Sequence, residues 1–294
     1  MILENPEHYG SSSQMTKIRD LPLLAILPLD KLILHERHDQ QRSPGLVDNI
    51  RSSGVLRNPP IITPLHDRTG RYMVLDGAHR TLSFQTLGMR HILAQVVEPD
   101  DPGLSLHPWN HVLWGLEPDE LFESICSIPF INLEICRPED GYQQLISHHA
   151  LALIHLADGK LFAARIPAND LVTRVNFLNA LVDRYKDRAG MDRTNLKAID
   201  ALKKLYPDLS GLVIFPVFRI EDILYLAGES HLLPTGSTRF TISPRALHVN
   251  YPLSELEADQ TLEEKNSSLQ RWLQERLANK GVRYYAEATF LFDE

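Results

Sequence analysis

Arg71-Tyr72-Met73-Val74-Leu75-Asp76-Gly77-Ala78-His79-Arg80-Thr81 is the stretch on which the reading of this chain turns. Arg71 to Leu75 is a short run of strand formers. From Arg80 to Leu87 the apolar Leu82, Phe84 and Leu87 recur at helical spacing and stop at Gly88. The motif therefore sits where a strand ends and a helix begins. At such a junction the first helical N–H groups have no intrahelical partner and the helix dipole favours an anion. Gly77 lets backbone approach a ligand closely, Arg80 offers a fork for phosphate oxygens, and His79 offers a donor. Asp76 supplies a carboxylate that orients donors or a reacting hydroxyl. Asp76, Gly77, Ala78, His79, Arg80 and Thr81 together read as a phosphate cradle.

Upstream of the junction, Leu24 to Leu29 reads as a strand running into a turn. Pro44 to Ser53 reads as a helix, with Leu46, Val47 and Ile50 on one face, Ser43 as its cap and Gly54 at its end. Pro59-Pro60 punctuates the chain, Ile61 to Thr63 begins a strand, and His66 to Gly70 is a polar turn. His91 to Val97 is a strand after Gly88. The order is β, α, β, β, α, β. Residues 1 to 20 read as a flexible lead-in.

Further along, helices are expected at Pro118 to Ile125, Thr173 to Arg188, Thr194 to Leu205 and Leu262 to Ala278. Strands are expected at Ala150 to Leu156, Leu161 to Ile166, Val213 to Phe218, Ile223 to Leu226 and Val282 to Phe292. The expected fold class is α/β (α+β). A nucleotide-binding domain spans 21 to 100, and a C-terminal α+β substrate domain spans 101 to 294 and closes over a cleft.

A chain of 294 residues, 43% hydrophobic and 23% charged, is long enough to bury a substantial core. The formal net charge of -8 gives no general attraction to a phosphate backbone, which argues against nucleic acid as a partner. Cys126 and Cys136 are the two cysteines, too few for a disulfide framework. No apolar run approaches the length of a membrane span, and the first residues lack the pattern of a secretion signal, so the expected location is the cytoplasm. His148 and His149 are adjacent and share neither a helix face nor a strand face, so no protein metal site is expected. Neither a G-x-x-x-x-G-K-[ST] loop nor the protein-kinase signature set is present.

The elements from Leu27 to Val97 resemble the ParB/sulfiredoxin superfamily: Leu27-Pro28-Leu29-Asp30-Lys31-Leu32, the segment Ser53 to Ile61, and Tyr72 to Arg80. Sulfiredoxin itself carries a catalytic cysteine in this loop, where this chain has Ala78. Partition proteins of the superfamily carry a helix-turn-helix domain after the unit, and none is evident here. The free L-serine kinases, including those of siderophore biosynthesis, are the more similar branch. The likeness lies in Leu34-His35-Glu36, in the Asp-Gly-X-His-Arg loop, in Trp109, and in Leu233 to Phe240 followed by Pro244 to Leu253.

That resemblance implies that Glu36 is the catalytic base, that Asp76 to Thr81 binds nucleotide phosphates, and that Trp109 corresponds to a tryptophan placed shortly after the loop. It also implies that the 233–253 region lies near the substrate. Chemistry agrees on Glu36, because transfer to an alcohol needs a group to take the hydroxyl proton. The loop holding Thr238 and Arg239 has hydroxyls, N–H groups and a cation suited to an amino-acid carboxylate or a phosphate. The expected activity is phosphoryl transfer from ATP or ADP to free L-serine, with Mg²⁺ held mainly through the nucleotide phosphates. A nucleotide-dependent DNA-binding regulator and a non-catalytic small-ligand sensor are the alternatives on the same fold.

Overall fold

Strand β5 (Tyr72–Asp76) has neighbours on both faces. Its Met73 and Leu75 belong to one apolar cluster and Val74 to another, as the two-residue side-chain period of a strand requires. The computed structural model describes residues 21–38 and 44–285. The lead-in expected over 1 to 20, the Ser43 cap and most of the expected terminal strand lie outside them; residues 282 to 285 form no strand.

The first unit runs β1 (Leu24–Pro28), β2 (Leu32–Ile33), α1 (Pro44–Ser53), β3 (Val55–Leu56), β4 (Ile61–Pro64), β5, α2 (Ala78–Thr86) and β6 (His91–Val96). Five of its strands form a mixed sheet in the order β1-β6-β4-β5-β2. Strand β2 runs parallel to β5 with Ile33 beside Met73. Both chains therefore leave the sheet at the same end. That shared exit puts the residues after Ile33 beside the strand-to-helix junction.

A second unit follows: β7 (Leu104–Pro108), β8 (Asn110–Trp114), α3 (Pro118–Cys126), β9 (Asn132–Ile135), α4 (Pro138–Ile146), β10 (Ala152–Leu156) and β11 (Leu161–Arg165). It continues with α5 (Leu171–Val182), β12 (Gly190–Thr194), α6 (Ile199–Lys203), β13 (Leu209–Ile214), α7 (Ile220–Gly228) and β14 (Thr238–Ile242). Its six-stranded sheet has the order β12-β8-β13-β10-β11-β9, and β14 pairs separately with β7. One apolar cluster joins the two units, running from Ile61, Met73 and Leu75 to Leu113, Val213, Leu233 and Phe240.

The chain then returns to the first sheet through β15 (Tyr251–Pro252), which pairs with β3, and through α8 (Leu253–Glu257) and α9 (Leu262–Ala278). Tyr251, Leu253, Leu256, Leu269 and Leu273 pack with Ile26, Leu56, Val74 and Phe84. Helix α9 starts with a capping box in which Thr261 and Glu264 each accept from the other's backbone N–H. From that helix the Asn266 amide reaches the outer edge of β1. Its Oδ1 accepts from Ile26 N–H and its Nδ2 donates to Ile26 C=O, both at 2.9 Å, as a neighbouring strand would.

Four segments differ from the sequence expectation. The strand expected at Val213 to Phe218 is β13, Leu209–Ile214, and residues 215–218 form no strand. Ile223 to Leu226 is helical, within α7. Glu221 and Asp222 sit in its first turn, where the dipole favours acids, and Ile223, Leu226 and Ala227 share its buried face. A four-residue apolar run is too short to reveal that period. The helix expected from Thr194 to Leu205 is only α6, because Thr194 is held in β12 opposite Asn110. The helix expected to reach Arg188 ends as a regular helix at Val182 and continues in turns. Among the described residues no helix is long and apolar enough to cross a membrane.

Candidate active site

The junction expected at Asp76 to Thr81 is present. Gly77 precedes α2 with φ of 94°, a left-handed conformation that suits glycine, and an added Cβ would lie 2.9 Å from Pro60. Ala78 and His79 open the helix. Thr81 is buried, with its hydroxyl 3.2 Å from the Gly77 carbonyl oxygen, so it braces the turn from within. Arg80 folds back onto main chain, donating to the carbonyls of Asn58 and Pro59, and lies 3.5 Å from Asp76. Burial lowers its pKa, and the Asp76 carboxylate opposes that shift.

A second cation, which sequence reasoning left out of the cradle, comes from far along the chain: Arg245 donates to the Asp76 carboxylate. Its place is set by the buried Gln95 on β6. The Gln95 amide donates to Pro244 C=O at 2.9 Å and accepts from Ala246 N–H at 2.8 Å, gripping the backbone on either side of Arg245. The adjoining His248 N–H donates to the Asn58 side chain, which closes this wall of the cradle.

Glu36 lies beyond the end of β2. Its Oε2 accepts from Gly236 N–H at 2.6 Å, and its Oε1 accepts from Thr238 N–H at 2.8 Å and from the Thr238 hydroxyl at 2.5 Å. A carboxylate has about four acceptor sites, so one is left over among the described residues. The neighbouring backbone is pinned as well: Arg37 N–H donates to Leu233 C=O, and Leu233 N–H donates to His35 C=O. Two residues past Glu36, the His38 ring lies 4.7 Å from that of His79, which brings the glutamate's loop to the junction at Asp76 to Thr81.

Behind Glu36 the buried His35 ring has Nδ1 2.7 Å from the Val74 carbonyl oxygen and Nε2 3.0 Å from the Thr238 hydroxyl. Thr238, expected from sequence near the substrate, contacts both Glu36 and His35. Trp109 joins the same loop, its N–H donating to Ser237 C=O at 2.9 Å. Two guanidinium groups, from Arg239 and Arg193, lie 5.5 and 5.3 Å from its ring centre. Neither has a carboxylate partner among the described residues. Arg193 arrives on β12 and packs against Gly236, where a Cβ would strike its guanidinium. No local sequence signal marks it.

The loop has one more buried prop. His111 has Nε2 3.1 Å from the Gly236 carbonyl oxygen and Nδ1 2.8 Å from the Tyr185 hydroxyl. A neutral ring donates to the first and accepts from the second. Burial holds its pKa down to about 4, while the Gly236 carbonyl pulls upward and the Arg193 charge adds to the lowering.

No protein-family model matches the chain. Over 284 residues it is 25% identical to the ATP-dependent L-serine kinase SbnI of Staphylococcus aureus, spanning 92% of this chain and 97% of that one. Over 115 residues it is 31% identical to an ATP-dependent L-serine kinase of Staphylothermus marinus, spanning 39% of this chain and 44% of the relative. Among solved structures, C-terminally truncated SbnI from Staphylococcus aureus superposes with a TM-score of 0.65 at 23% identity, over 88% of this chain and 97% of that one. A free serine kinase in complex with AMP gives a TM-score of 0.65 at 16% identity, over 79% and 93%. The fold is the one found in free serine kinases. The chain is similar to SbnI over nearly its whole length.

Proposed function

We propose that the protein phosphorylates the side-chain hydroxyl of free L-serine with ATP, giving O-phospho-L-serine. The observation that carries this reading is the Glu36 carboxylate, fixed by three donors with one acceptor site open, on a loop that touches the phosphate cradle. Near-full-length similarity to an ATP-dependent L-serine kinase supports the same activity.

In this mechanism the nucleotide phosphates lie against the N-terminal end of α2, where Gly77 lets them approach and unpaired N–H groups face them. Arg245 turns its free donors toward them. Trp109 walls the acceptor pocket, and Arg193 and Arg239 beside it are the cations for the amino-acid carboxylate. The seryl hydroxyl donates to the open site on Glu36, which takes its proton as the oxygen attacks the terminal phosphorus.

Among the described residues no cluster of three or more potential ligands could hold a metal on its own. Asp76 is the cradle's carboxylate. Because that carboxylate is paired with Arg80 and Arg245, a Mg²⁺ ion would be held mainly through the nucleotide phosphates, whose charge it would neutralise. The cytoplasm supplies both substrates.

The test is incubation of the protein with Mg²⁺, ATP or ADP, and a panel of hydroxyl amino acids, with products read by mass spectrometry. O-Phosphoserine formed from ATP is the expected product. Nucleotide binding with no phosphorylated amino acid would replace this reading with that of a ligand sensor.

A further inference from the structure

Two polar contacts hold the His35 ring. The Val74 carbonyl oxygen only accepts, so the Nδ1 facing it at 2.7 Å carries the ring proton. In the neutral imidazole Nε2 is then a bare acceptor. It faces the Thr238 hydroxyl at 3.0 Å, while the same hydroxyl lies 2.5 Å from Glu36 Oε1. A threonine hydroxyl has one proton to donate and here has two acceptors. The charged carboxylate is the stronger of the two and holds it while Glu36 is ionised.

We infer that His35 is a positioning residue for the base, its Nε2 being the acceptor to which the Thr238 hydroxyl turns when Glu36 takes up the proton of the alcohol. The inference rests on the reading of Glu36 as base. In the step, the alcohol O–H bond breaks and an O–H bond forms on Glu36. The Thr238 O–H bond stays intact and rotates about its C–O bond, and no heavy atom moves.

The rotation matters because hydrogen bonds to a carboxylate stabilise its charged form and weaken it as a base. A hydroxyl with no second acceptor would oppose protonation of Glu36 throughout the reaction. With His35 behind it, the hydroxyl keeps a full hydrogen bond in both states. The ring is held for this task by Val74 on one side and by an edge-on contact with Phe240, 5.2 Å between ring centres.

The test has two parts. Nitrogen-15 NMR of the full chain labelled at histidine, without substrates, reads the His35 tautomer directly. The expected result is a protonated Nδ1 and an unprotonated Nε2; an Nε2 that carries a proton, whether in the other tautomer or in the imidazolium, overturns the inference. Kinetics of H35N, T238V and the double variant read the coupling. The amide introduced by H35N can keep the donation to Val74 but is too short to offer Thr238 an acceptor. H35N should therefore lower kcat roughly fivefold to tenfold, the worth of one hydrogen bond, with both KM values within about twofold.

T238V should then cost far less in the H35N background than alone, since the rotating hydroxyl has already lost its second partner. Additive losses, or a loss in H35N carried by KM, sink the proposal. The tautomer is measured without turnover, so a chain that phosphorylates no alcohol and a chain that lacks the rotating hydroxyl give different results.

Discussion

Arg245 donates to the carboxylate of Asp76 across 169 residues of chain, at the point where β5 hands over to α2. The pairing puts a partly exposed guanidinium at the mouth of the proposed phosphate cradle. Arg80, whose position in the motif attracts notice first, instead spends its donors on the carbonyls of Asn58 and Pro59.

The two arginines should therefore separate by experiment. R245A is expected to weaken nucleotide binding by about 1.5–3 kcal/mol, the range of a charge-assisted hydrogen bond, with little change in melting temperature. R80A is expected to lower the melting temperature as well, because two carbonyls lose their donor. Calorimetric titration and thermal unfolding of both variants check this; a larger affinity loss in a fully stable R80A would reverse the assignment.

E36Q is expected to cut turnover by about 10²–10⁴-fold, the usual contribution of a general base. It should also lose stability. Glutamine must aim its NH₂ group at Gly236 N–H or Thr238 N–H, and donors then face each other where the carboxylate accepted from both. Nucleotide affinity within a few-fold of the parent is the control. Should turnover survive, Asp76 becomes the leading candidate for the base.

Arg193 and Arg239 flank one indole, and their replacement by alanine should raise the KM for the amino acid about tenfold or more while moving the nucleotide KM little. Steady-state kinetics with each substrate varied in turn decides it. Equal shifts in both constants would make the pair structural or shared.

Acid should loosen this site through His111. An unfolded histidine titrates near 6.5 and this one near 4, so between those values the unfolded chain binds the extra proton. The contribution of His111 is complete above about pH 6.5 and is lost as pH falls toward 4, reaching roughly 3 kcal/mol. Because the ring holds Gly236, and Gly236 N–H holds Glu36, activity should fall over the same interval. Urea unfolding at pH 7.5 and 4.5 should show a steep loss for the parent and a flatter one for H111Q.

Local chemistry made part of this legible in sequence. Gly54 and Gly88 mark the ends of α1 and α2, and the apolar spacing of Leu262 to Ala278 gives α9 to the residue. The strand-to-helix junction follows from Asp76-Gly77 between two periodic runs. Strands β7 and β8 were not legible, because Trp109 stands between two runs whose partners, β14 for the first and β12 and β13 for the second, all lie more than 70 residues away. The site shows the same division. Glu36 stood out by resemblance, whereas Arg193, Arg245 and His111 enter through tertiary pairing that no local pattern encodes.

The bond between Asn266 and Ile26 has a consequence for how the protein is made. A ribosome must add 240 residues after Ile26 before the side chain that covers this strand edge exists. At about 5–20 residues per second that is roughly 12–50 s, during which an apolar strand edge is open to any other nascent chain. Yield in a slow-translating host should therefore depend on holdase chaperones, and on the pace of synthesis, more than the stability of the finished fold would suggest.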